Sequence, residues 1–99
     1  MIYEITNKGA FEKDFDLKRQ IRRASVSISS NIAVGFERNT NKEFIHFLYV
    51  SKASAGEVRS QLYLALDLEY IEIDEFNILK EKIENTSKML SGLIRYLNK

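Results

Sequence analysis

The sequence predicts an all-α protein, and three observations carry that prediction. Apolar residues recur at alternating steps of four and three along most of the chain, the spacing of one buried face of an α-helix. The 99 residues contain no proline and only four glycines, so little interrupts a helix. The longest segment with that spacing runs from Asn41 to Tyr70 and opens on a capping-box pattern.

The elements follow in chain order. The first lies at residues 1–7, where Ile2, Tyr3 and Ile5 are the apolar anchors before Asn7-Lys8-Gly9 interrupts. At most a short helix fits there. The second covers residues 16–35: Leu17, Ile21, Ala24, Ile28 and Ile32 share one face, and Gly35 can supply a left-handed C-terminal residue.

The third and longest, residues 41–70, carries Phe44, Leu48, Ser51, Ala55, Val58, Leu62 and Ala65 as its seam. Thr40 with Glu43 three residues on forms a capping-box pattern at its start. The fourth covers residues 74–98 with Asp74 as N-cap and Phe76, Leu79, Ile83, Thr86, Leu90, Leu93 and Leu97 as its seam. All four belong to one domain spanning residues 1–99.

The longest helix is apolar on more than its seam. Val50, Leu64 and Leu68 flank the seam on one side, and Ile45, Tyr49 and Tyr63 on the other. At 1.5 Å per residue it would be about 45 Å long, more surface than two full helices and one short one can cover. A partner is implied, and a second copy of the chain is the simplest one. Gly56 interrupts the same helix and is expected to allow close helix packing.

Composition removes several function classes. There is no cysteine, which excludes disulfide scaffolds and thiolate metal sites, and His46 is the only histidine. Glu43 and His46 match the Glu-x-x-His spacing of helical di-iron sites, but those need the motif twice together with two further carboxylates. The serines at 25, 27, 29 and 30 lack a nucleophile elbow, and no glycine-rich phosphate loop occurs. No enzyme, metal or cofactor is expected. Without a membrane-length apolar run or a signal peptide, a soluble cytoplasmic protein with no membrane partner is predicted.

Charge is the remaining signal. Lys plus Arg (15) nearly cancels Asp plus Glu (14), yet the two signs are separated along the chain. From residue 17 to 42 there are six cations (Lys18, Arg19, Arg22, Arg23, Arg38 and Lys42) against Glu37 alone, a balance of +5; from 67 to 84 seven anions face two lysines, a balance of −5. Lys18, Arg19, Arg22 and Arg23 form a stripe spanning about 140° of helix circumference, away from the apolar face. Two readings stay open. The arginines pair with the acidic half of the same or another subunit, or they meet the phosphates of a nucleic acid, with strong salt dependence.

The run from Gln20 to Phe36, QIRRASVSISSNIAVGF, closely resembles the signature of the bundle proteins encoded in intervening sequences of bacterial 23S rRNA genes, often labelled S23 ribosomal proteins. The likeness continues through KEFIHFLYVSKAS at 42–54, EVRSQL at 57–62 and ALDLEYI at 65–71. The resemblance implies an antiparallel up-and-down four-helix bundle with a shortened first helix, assembled into a ring-like homo-oligomer, a homopentamer. It is also similar to the accessory variability determinant of diversity-generating retroelements, which implies RNA, DNA or a reverse transcriptase or other nucleic-acid-handling protein as partner.

By the same match Asn31, Gly35, Glu43 and Glu57 are architectural positions, with Asn31 and Glu57 expected to bond between helices. Ser29 and Val34 depart from the pattern, standing where the family usually has proline and glutamate. The start departs too, since the family's first helix is usually longer and would leave a groove along the long helix when short.

Overall fold

In the computed structural model, which describes residues 2–99, five helices follow one another. They are α1 (Ile2–Thr6), α2 (Gly9–Lys13), α3 (Phe15–Phe36), α4 (Asn41–Asp67) and α5 (Ile73–Leu97). The described residues contain no strand. None of the helices among them is long and apolar enough to cross a membrane.

The three long helices run antiparallel, with α4 packed against both others. Across α3 and α4, Ser51 lies against Ile28, Ser54 against Ser27, and Phe47 against Gly35, so residue numbers fall on one side as they rise on the other. Across α4 and α5, Tyr63 meets Phe76, Arg59 meets Glu84, and Leu48 packs with Leu90 and Ile94. The result is elongated, 45 × 22 × 16 Å.

Burial follows the spacing read from the sequence. On α4, Leu48, Ser51, Ala55, Val58, Leu62 and Ala65 are buried, and on α3 Leu17, Ile21 and Ala24. The core has two parts. The larger joins Phe11, Leu17, Ile21, Val58, Leu62 and Phe76 at the end carrying the N-terminus, and the smaller joins Leu48, Leu90 and Ile94 at the other.

Between the two parts the α3–α4 contact is polar. Ser51, fully buried, donates to the Ile28 carbonyl at 2.8 Å, and Ser54 donates to Ser27 at 2.9 Å. Asn31 bonds within its own helix, to the Ser27 carbonyl and hydroxyl, so the expected interhelical bond comes from serine and not from Asn31. Glu57 is exposed and makes no such bond either. Asn31 lies on the face of α3 that meets α4, beside Ser27, but its amide is taken up by bonds within its own helix.

The N-terminal region is two short helices where one was expected at residues 1–7; Met1 lies outside the described residues. Gly9 divides them with φ +53, a conformation that needs glycine. Phe11 of α2, fully buried, closes the end of the bundle and packs on Tyr70 with ring centres 5.3 Å apart. The Tyr70 hydroxyl donates to Asp14 at 2.8 Å, while the other Asp14 oxygen accepts from the Leu17 amide and caps α3.

Four termini differ from expectation. α4 ends at Asp67 and not at Tyr70, because Glu69 turns left-handed (φ 60) and the amides of Glu69 and Tyr70 bond back to Leu66 and Ala65 in a Schellman arrangement. Gly35 stays helical and does not form a left-handed terminus. Its role is close approach, since an added Cβ would lie 2.8 Å from the Phe47 Cβ. The N-cap of α5 is Glu72 and not Asp74, with reciprocal bonds between Glu72 and Glu75. At Thr40 only half of the expected box forms: the Glu43 amide donates to the Thr40 hydroxyl at 3.2 Å, with no return bond among the described residues.

Candidate nucleic-acid interface

Asp14 sets the start of α3 and thereby the positions of the four cations in its first three turns. Arg22 points inward toward the N-terminal segment and is held there. Its Nε donates to the Thr6 hydroxyl at 2.8 Å, its Nη2 to Asn7 Oδ1 at 2.9 Å and to the Tyr3 carbonyl at 3.3 Å. The guanidinium also lies 4.5 Å from the centre of the Tyr3 ring. Thr6 is fully buried, and its hydroxyl in turn donates a hydrogen bond to the Ile2 carbonyl at 2.8 Å. Arg22 therefore ties α1 to α3 through neutral partners. None of these partners is acidic, and the guanidinium stays partly exposed at the rim of the bundle.

The other three remain outside this clasp. Lys18, Arg19 and Arg23 make no ion pair among the described residues, and with Arg22 and Phe15 they line a shallow hollow of about 370 Å³. Phe15 is 67% exposed beside them. Three cations around an exposed ring offer charge for phosphates and a face for stacking.

Arg38 and Lys42 lie at the far end of the bundle. Counting α3 at 1.5 Å per residue puts Arg38 about 28 Å from Arg19. Arg38 stacks over Phe47 at 4.9 Å, and Lys42 is exposed in the first turn of α4. The structure thus divides the six predicted cations into a cluster at one end, a pair at the other, and one internal tether.

His46 is exposed, edge to face with Phe47 at 5.4 Å. Among the described residues no three histidine, aspartate or glutamate side chains converge as a metal site would need. The Tyr70 phenol is raised above 10.0, first by its hydrogen bond to Asp14 and then by burial and the nearby carboxylate charge. It marks a structural bond and not a reactive group.

A second cationic surface was not anticipated. Lys52 and Arg59 on α4, and Lys88 and Arg95 on α5, line one groove between these helices. Each pair is seven residues apart, two turns on one face, which is the sequence signal that could have shown it.

Together these features define a class: an antiparallel bundle of three long helices, with a short two-part N-terminal element clasped onto it and its cations gathered on separate surfaces. Residues 1–92 match the model of the 23S rRNA-intervening sequence protein family, and the chain belongs to that family. Its structure is similar to that of a protein with unknown function from the S23 ribosomal protein family of Bacteroides thetaiotaomicron VPI-5482. The two share 25% sequence identity and a TM-score of 0.86, over 94% of this chain and 84% of that one. No curated protein sequence matches the chain.

Proposed function

We propose that this protein is a non-enzymatic helical scaffold that works as a homo-oligomer and binds RNA or DNA through the N-terminal half of α3. The observation that carries the reading is the cluster of Lys18, Arg19 and Arg23, cations without acidic partners, gathered beside the exposed ring of Phe15. Phosphate contacts supply sequence-independent affinity and a ring supplies stacking, so such a surface binds strands of many sequences.

The oligomeric part rests on a different feature. Val50 and Leu64 of α4 and Leu68 at its C-cap, all on one flank of the helix, are exposed although α3 and α5 pack on its other sides. Large apolar side chains left exposed along one flank are what a subunit interface covers. A ring of subunits would repeat the cationic cluster and strengthen weak individual sites through multivalency. The same apolar face also favours a second reading, a protein-interaction module without a nucleic-acid role.

A salt titration separates the two. Binding of labelled RNA and DNA is measured by fluorescence anisotropy from about 50 mM salt upward, for the wild type and for a variant with Lys18→Ala, Arg19→Ala and Arg23→Ala. Losing three phosphate contacts should flatten the log–log salt slope by about 2 to 3. Arg22 stays intact, because its loss would release α1. Absence of binding by the wild type at low salt would leave the interaction-module reading. Light scattering tests the oligomer: a monomer of 11.5 kDa at micromolar concentration would refute it.

A further inference from the structure

We propose that the groove between α4 and α5 is a track for the sugar–phosphate backbone of a single nucleic-acid strand, distinct from the α3 surface. The inference rests on the nucleic-acid reading above and locates a second contact for the same ligand class.

Gly56 is the first reason. Glycine in the interior of a helix is destabilising relative to alanine, and it is tolerated where packing or function requires it. Here packing does not. A Cβ added at Gly56 would meet nothing within 4 Å. The local rule is broken at a place that opens into a groove of about 470 Å³, whose floor also carries the hydroxyls of Ser87 and Ser91. Departures of this kind concentrate at functional sites.

Charge is the second reason. Four cations line the groove against one acid, Glu84. Glu84 approaches Arg59 only to 3.7 Å, with both side chains substantially exposed, so an incoming phosphate can displace it. That contact sets the register between the helices. From it, Lys88 lies about 6 Å along α5 and Lys52 about 10 Å along α4, so cations alternate between the two rims. Arg95 extends the series and folds back over Gly92, its Nη2 3.8 Å from where a Gly92 Cβ would be.

The shape selects the ligand. Packed helices lie 8–10 Å apart, so the groove between them is too narrow for a duplex, which could touch only the rims. At Gly56 and Arg59 the groove adjoins a hollow of about 260 Å³ on the outer face of α4, lined also by Ser60 and Tyr63. Tyr63 is 41% exposed and fixed edge to face on Phe76 at 4.9 Å, with Lys80 Nζ 5.8 Å from its ring centre, so a base stacking there displaces the lysine and gains a rigid aromatic platform. An acidic peptide would satisfy the cations but has no use for that ring.

The test is anisotropy with labelled oligo-uridine and with an RNA duplex of equal length, using the whole chain. The single strand should bind more tightly than the duplex. Lys52→Ala with Lys88→Ala should flatten the salt slope by about 1.4, two contacts at about 0.7 each, and weaken the strand by about tenfold. Gly56→Glu, which puts a carboxylate in the open floor, should weaken it at least as much with helix content unchanged. Glu84→Gln should strengthen binding a few-fold. Groove variants within about twofold of wild type, while the Lys18/Arg19/Arg23 variant weakens, would overturn the track and leave the α3 reading standing. No binding by the wild type would overturn both. Dissociation of an oligomer by Gly56→Glu or the double alanine variant, with strand affinity unchanged, would make the groove a subunit contact and overturn the track.

Discussion

Gly35 and Gly56 give the same substitution opposite signs. An alanine at either helical position gains about 0.5 to 1 kcal/mol of helix propensity. At Gly35 the new methyl would stand 2.8 Å from the Phe47 Cβ and 2.9 Å from the Phe44 ring. The Phe47 Cβ is attached directly to the α4 backbone, so relief requires moving the helix. Overpacking of this kind costs about 1 to 3 kcal/mol and exceeds the propensity gain, leaving Gly35→Ala less stable by about 1 to 2 kcal/mol. At Gly56 the new methyl would meet nothing within 4 Å beyond its own turn of helix, and the gain stands alone.

Thermal and urea unfolding followed by far-ultraviolet circular dichroism reads both. Each kcal/mol moves the midpoint of a domain this size by about 4 to 8 °C. Gly35→Ala should melt below wild type and Gly56→Ala at or above it, with all three proteins at one concentration so that any association contributes alike. If Gly35→Ala is as stable as wild type, close approach of α3 to α4 is not why glycine stands there. If Gly56→Ala is as damaging as Gly35→Ala, the groove floor is not open in solution.

Three further perturbations test the connections at the N-terminal end. Arg22→Ala removes three charge-assisted bonds and leaves the buried Thr6 hydroxyl without its donor; a loss of about 2 kcal/mol is expected, with hydrogen exchange accelerated over residues 2–13 and unchanged in the middle of α4. Glu69→Gly relieves a left-handed glutamate and should raise stability by about 0.5 to 1 kcal/mol in urea unfolding. Tyr70 has a phenol raised above 10.0 in the folded chain, so its contribution is complete below pH 10 and lost as pH rises through the folded-state value. Tyr70→Phe should be less stable than wild type near neutrality, and alkaline melting curves of the two should converge.

The fold was legible where burial and periodicity agree. Leu48, Val58, Leu62 and Ala65 are buried as their spacing requires, because a helix packed on both sides leaves one seam free of solvent. Termini were less legible because several residues compete for each role. Glu72, Asp74 and Glu75 can all serve the first turn of α5, and only the reciprocal bond between the first and third selects Glu72. Glu69 ends α4 although nothing in its type announces a left-handed residue, and Gly35, whose type does, remains helical. Asn31 bonds within α3 because its side chain reaches back one turn more readily than across to α4.

Cationic surfaces were less legible still, for a reason that concerns how charge is counted. Summing charge over consecutive residues assumes that neighbours in sequence share a surface, which a helix contradicts by turning about 100° at every residue. The stretch from 17 to 42 has the strongest positive balance, yet Arg22 within it is consumed by neutral partners at the N-terminus and Arg38 by the ring of Phe47. Lys88 and Arg95 follow the most acidic stretch on the same helix, yet they face Lys52 and Arg59 across a groove because each pair recurs at seven residues on its own helix. Charge read at helical spacing on two antiparallel elements, and not as a running sum, is therefore the quantity that locates a binding surface in a bundle of this kind.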